Sequence, residues 1–228
     1  MLIEPLTQEE ARVLGTLLEK SLATPDYYPM TLNALRTACN QKSSRDPVTE
    51  YDDGTVSEAL NGLKRKCLVT FIPYGSQGNS YKFRHFLEDV RFSLHKQDLA
   101  VLAVLLLRGA QTLNEVRLRA SSLHPIDSLE RAEAVLQGLA KRAEPLAEWI
   151  AKRPGWKEPR WRDTVREPVT QDAETDSADS AGGDAAPSRS QATHPGEVAE
   201  LRAEVAEMRL AIAALEAQVA VLRSELGL

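Results

Sequence analysis

Leu14, Leu17 and Leu18 fall three and four apart in LTQEEARVLGTLLEK (residues 6–20), the spacing of an amphipathic helix with one buried stripe. Thr7 supplies an N-cap, Glu10 three residues later completes a capping box, and Leu6 is placed for a hydrophobic staple. A second helix is predicted over about residues 31–40, burying Leu32 and Leu35, and a third after Asp53-Gly54, burying Val56, Leu60 and Leu63. The period then changes. LVTFIPY (68–74) and SYKFRHF (80–86) are rich in β-branched and aromatic residues and flank a Gly-rich stretch from Gly75 to Asn79, so they read as a β-hairpin.

The same pattern returns downstream. LHKQDLAVLAVLLLR (94–108) aligns with 6–20, TLNEVR (112–117) with TLNALR (31–36), and VLQGLAKR (135–142) with ALNGLKRK (59–66). Three matches in one order make an internal repeat. The second hairpin is expected from LAEWIAK (146–152) and PRWRDTV (159–165) around Arg153-Pro154-Gly155-Trp156. Three helices followed by a hairpin is the order of a winged helix. The expected fold is therefore mainly α, of the α+β winged-helix kind, with two tandem winged-helix domains at 1–92 and 93–166.

Beyond residue 166 the pattern is lost and then replaced. Residues 167–196 are acidic, small and nearly free of large apolar side chains, the composition of a disordered linker. From 197 to 228 heptads take over. Val198, Leu201, Val205, Met208, Ile212, Leu215, Val219, Leu222 and Leu226 alternate at +3 and +4, with β-branched residues at a and mainly Leu at d. That choice favours a parallel two-stranded coiled coil. Glu197 and Glu204 at g face Arg202 and Arg209 at e of a second copy, which suits the same arrangement. A homodimer is expected, with a trimer as its rival.

Composition adds where charge lies. The net charge is −5, but it divides as −1 over residues 1–92, +4 over 93–166 and −8 over 167–228. The acidity belongs to the tail, and the body tolerates a polyanion. The longest apolar run, Leu99 to Leu107, is too short to cross a bilayer, and MLIEPLTQEE has no basic and apolar leader. A cytoplasmic protein with no membrane association is expected.

Catalytic signatures are wanting. His85, His95, His124 and His194 lie in four separate segments, and Cys39 and Cys67 form no CxxC, so no metal, cofactor or enzymatic activity is expected. Both cysteines follow apolar helical positions and read as small buried residues. The paired acids Glu9-Glu10 and Asp52-Asp53 sit at predicted helix starts, where they offset the helix dipole.

Nucleic-acid contact is the chemistry left. On the third helix Asn61 is placed to read a base edge, and Lys64 and Arg65 to meet phosphates, although Glu58 opposes them. The second hairpin, with Lys152, Arg153, Lys157, Arg160 and Arg162, is the most basic stretch. The corresponding third helix of the second copy exposes Glu130, Arg131, Glu133 and Gln137. Between the second and third helices, the first copy carries five residues more than the second. There Asn40, Gln41, Lys42, Ser43, Ser44 and Arg45 are expected as an exposed connector contacting phosphate or a partner.

LEKSLATPDYYPMTLNALRTACNQKSSRDPV (18–48), LKRKCLV (63–69) and LLLRGAQTLNEVRLRA (105–120) resemble the YceH family of bacterial proteins. The resemblance covers about residues 5–166 and implies two winged-helix domains. It implies no catalytic residues, and DNA binding in the family is itself inferred from the fold. Two functions are expected to compete. One is a dimeric protein that binds double-stranded DNA as a transcriptional regulator. The other is a tandem winged-helix scaffold for a protein partner, in the manner of the bacterial condensin accessory subunit ScpB.

Overall fold

A computed structural model describes residues 4–74, 80–88 and 92–167. The acidic linker from residue 168, the heptad segment and the turn from Gly75 to Asn79 lie outside the described residues. Among these the chain is mixed helix and sheet: α1 (Gln8–Ala23), a 3₁₀ turn (Pro25–Tyr27), β1 (Met30–Thr31), α2 (Leu32–Cys39), α3 (Asp53–Arg65), β2 (Val69–Tyr74), β3 (Ser80–His85), α4 (Lys96–Arg108), α5 (Leu113–Ser121), α6 (Leu129–Ala140), β4 (Ala147–Ile150) and β5 (Arg160–Asp163). This α+β composition fits a winged-helix-like class.

Side-chain caps set the helix starts. Thr7 Oγ1 accepts the Glu10 amide while the Glu10 carboxylate accepts the Thr7 amide, the capping box read from the sequence. Thr31 caps α2 and Thr112 caps α5, and these are the threonines of the repeated TLN. The residue before each threonine pairs with the inner hairpin strand: Met30 with Phe83, and Gln111 with Trp161. α3 begins at Asp53 because Asp52 accepts the Thr55 amide at 2.7 Å. The start expected after Gly54 therefore moves back, and Gly54 lies inside the helix. Both hairpins form in antiparallel register, Phe71 opposite Phe83 and Trp149 opposite Trp161, but the second is shorter than its sequence suggests. β1, β3 and β2 form a three-stranded sheet in that order.

α1 and α4 are not surface helices with one apolar stripe. Every residue from Glu10 to Glu19 and from Leu99 to Leu107 is buried, because the two helices pack on each other and the remaining elements cover them. A Cβ at Gly15 would lie 2.9 Å from the Leu106 Cβ, so α1 meets α4 more closely than any side chain permits. One buried apolar cluster thus runs from Leu14, Leu17 and Leu60 to Leu102, Leu136 and Trp161. The body also closes on itself. The Leu6 amide donates to the Val165 carbonyl at 2.7 Å and the Glu167 amide to the Leu6 carbonyl at 2.9 Å.

Candidate nucleic-acid interface

The connector from Asn40 to Val48 departs from the exposed contact surface expected of it. Arg45 is buried, with 5% of its surface exposed. Its guanidinium binds the Glu19 carboxylate in bidentate fashion at 3.0 and 2.6 Å and donates to the Ala38 carbonyl at 3.1 and 2.8 Å. That carbonyl is one of the groups the end of α2 leaves without a helical partner, so Arg45 caps α2 while pairing with α1. The Asn40 side chain donates to the Tyr51 carbonyl and accepts the Tyr51 amide, both at 2.8 Å. Gln41 accepts from Lys20 and Arg45. Arg12 of α1 is buried as well, which lowers its pKa, and donates to the Pro47 carbonyl. The Asp46 amide reaches the Leu107 carbonyl of α4 at 2.9 Å. The run therefore fastens α1, α2 and α4 together, and Arg45 is withdrawn as a contact residue. Lys42, Ser43 and Ser44 remain exposed.

The cysteines divide. Cys39 is buried; its thiol donates to the Thr16 hydroxyl at 3.5 Å, and burial pushes its pKa up, away from thiolate chemistry. Cys67, expected to be buried, is exposed in the turn after α3 at φ 57°. The chain reverses there into β2, which lifts its side chain off the core. His85 lies 3.1 Å from the Ser21 hydroxyl, a pairing that invites comparison with a nucleophile and its base. However, His85 Nδ1 accepts the Leu87 amide and Ser21 donates to the Leu18 carbonyl at 2.8 Å. The imidazole Nε2 must then donate to Ser21, the reverse of the polarity that activates a serine. Desolvation pushes the His85 pKa down to about 4. Among the described residues no group of three or more His, Cys, Asp or Glu is placed to hold a metal ion, and no helix is long and apolar enough to cross a membrane.

The outward face of α3 is built as the sequence suggests: Glu58, Asn61, Lys64 and Arg65 are all exposed. Lys64 does not extend freely; its ammonium sits 4.4 Å above the Phe71 ring. Between this face, the start of α2 and the first hairpin opens a groove of about 530 Å³. Leu60, Phe71 and Phe83 are among its lining, with Asn61 and Ser57 from α3 and Tyr74 and Tyr81 from the hairpin.

The second hairpin is less available than its charge implies. Arg160 donates to the Ala110 carbonyl at 3.1 Å and lies 4.8 Å from the Trp156 ring, which Arg153 also approaches at 5.4 Å. Arg162 pairs with Glu148 across the strands. Lys152 and Lys157 are exposed. On α6, Glu130, Arg131 and Glu133 are exposed and Gln137 is half-buried.

The site is thus a helix face beside a hairpin in a mixed α+β protein of winged-helix-like class. Residues 6–156 match the family described as Protein of unknown function, DUF480, and the chain belongs to that family. A UPF0502 protein of Geobacter sulfurreducens is 50% identical over 157 residues, 68% of this chain and 70% of the relative. One from Pelobacter propionicus is 45% identical over 177 residues (78% and 80%), and one from Cupriavidus necator 39% over 201 residues (88% and 79%). The family resemblance drawn from the residues around TACNQKSSRDPV is borne out.

Proposed function

We propose that the chain is a DNA-binding protein with two tandem winged-helix domains, residues 1–92 and 93–166, acting as a transcriptional regulator. The observation carrying this reading is α3: it lies third in a helix–helix–helix–hairpin order that occurs twice. It also turns Asn61, Lys64 and Arg65 outward beside the first hairpin. In such a fold the third helix enters the major groove and the hairpin touches the backbone. Asn61 would read a base edge, while Arg65 and the Lys152–Lys157 hairpin would meet phosphates. The heptads from Val198 to Leu226 would pair two chains and raise joint affinity through effective concentration.

The test is fluorescence anisotropy with genomic duplex fragments across a salt series. Affinity should fall with a log–log slope of roughly −0.9 per phosphate contacted. Asn61→Ala should change sequence preference, whereas Lys152→Ala with Lys157→Ala should weaken binding to all sequences alike. No binding at low salt would sink the proposal. Light scattering of the full chain should give a dimer, and a chain ending at Glu167 a monomer.

A second reading has its own support. Leu118, Leu129 and Trp149 of the second copy are exposed at 55%, 41% and 55%, and Glu130 and Glu133 share the exposed surface of α6. Exposed apolar residues and exposed acids suit a protein partner better than phosphate.

A further inference from the structure

The groove between α2, α3 and the first hairpin has a composition that the second copy does not repeat. Among the described residues its lining carries no charged side chain and combines Leu60, Phe71 and Phe83 with Tyr74, Tyr81, Ser57 and Asn61. The Tyr74 and Tyr81 side chains are exposed at 52% and 45%, so both rings have surface left to cover. Phe71 meets Phe83 edge-on at 4.8 Å and Tyr81 at 5.9 Å, which holds the aromatic wall in a fixed arrangement. Two cations lie against its rings from opposite faces of the hairpin, since strand alternation sets Tyr74 and Lys82 on one side and Phe71, Phe83 and Tyr81 on the other. Lys64 lies over Phe71 and Lys82 over Tyr74, at 4.4 and 4.6 Å.

Strand register identifies the matching positions of the second copy. Trp149 and Trp161 replace Phe71 and Phe83 as a facing pair. Counting from them, Lys152 stands where Tyr74 does and Pro159 where Tyr81 does. Along the repeated LxGL, Glu133 stands where Ser57 does. The inner aromatic pair is thus kept in both copies, while the uncharged tyrosine walls belong to the first alone.

We propose that this groove captures an unstacked nucleobase, so that the protein prefers DNA carrying an unpaired stretch beside a duplex. The inference rests on the nucleic-acid reading above and adds to it a single-stranded ligand. A flat ring with polar edges matches an aromatic wall beside an amide and a hydroxyl, and an anionic phosphate next to the base matches Lys64, whose ammonium lies over Phe71. The base must be unpaired, because within a duplex both of its faces are already stacked.

The test uses the full chain and three labelled ligands: a blunt duplex, the same duplex with an oligo(dT) overhang, and the oligo(dT) strand alone. The overhang should tighten binding roughly 5- to 100-fold over the blunt duplex. Tyr81→Ala and Ser57→Glu, which copies the second unit, should each bring the two dissociation constants together. Circular dichroism of both surface variants establishes that they are folded. No gain from the overhang, or a gain that survives both substitutions, overturns the proposal. So does a groove that takes an acidic peptide with an aromatic anchor and no oligonucleotide. Binding of the single strand without the blunt duplex would uphold this inference while removing the duplex reading.

Discussion

Arg45 is the residue on which the connector turns. It joins Glu19 of α1 to the Ala38 carbonyl near the end of α2, its side chain fully withdrawn from water. Removing one partner of such a pair leaves the other charge buried alone. Arg45→Ala should therefore destabilise the fold by roughly 3–5 kcal/mol in urea unfolding. Arg45→Lys should recover only part of this, since an ammonium cannot reproduce the bidentate fork. His85 sets a pH dependence of defined sign. With its folded pKa near 4 against an ordinary 6.5, its neutral form is favoured by the folded state. Stability is then full above pH 6.5 and declines as pH falls towards 4, by roughly 3 kcal/mol in all. Denaturation midpoints of the wild type and His85→Gln should diverge over that window, the variant losing less. Little of this was legible in the sequence. NQKSSRDP reads as solvent-exposed because each residue is polar, and nothing local reveals that Glu19 and the Ala38 carbonyl wait for Arg45. Cys39 was legible, since it ends an apolar helical face; Cys67 was not, since the chain turns just before the core can take it.

At the scale of elements, the cap of α1 was read correctly because its chemistry is local, whereas the start of α3 was placed two residues late. Thr7 with Glu10 signals a helix start through residues three apart, and the structure adds the same chemistry at Thr31 and Thr112. The full burial of α1 and α4 was not legible, because it arises from each other's presence. Two glycines at matching positions of the repeat show how differently the copies use one residue. Gly62 of α3 faces the Glu10 carboxylate, itself held by the Thr7 amide and Lys66. Among the described residues, nothing stands within 4 Å of where a Cβ of Gly138 in α6 would lie. Gly138→Ala should thus stabilise the protein by roughly 0.5–1 kcal/mol through helix propensity alone. Gly62→Ala should destabilise it, because the added carbon displaces Glu10 from its cap and ion pair. Parallel thermal melts of the two variants test the contrast, and equal shifts would contradict it.

For the whole molecule, the repeat announced the element order and the family resemblance agreed with it, since both depend on residues compared along the chain. The shared core did not announce itself. Self-comparison marks where each copy begins and ends but carries no information on which face of one meets the other. The groove proposed to hold a base was likewise half legible: Asn61 and Lys64 stood out by helical spacing, whereas Tyr74 and Tyr81 join them only once the hairpin folds against α3.

The hydrogen bonds from Leu6 to Val165 and from Glu167 to Leu6 bring positions 159 and 161 residues apart into register. Topologically the body is nearly a ring, and the place where it is cut is arbitrary. A circular permutant that joins Glu167 to Pro5 through a short Gly/Ser linker should therefore still fold, if opened in the exposed turn at Pro154-Gly155. Calorimetry should find one cooperative transition within a few degrees of the body in its natural order. Two separated transitions would mean that the halves need their original order to share a core.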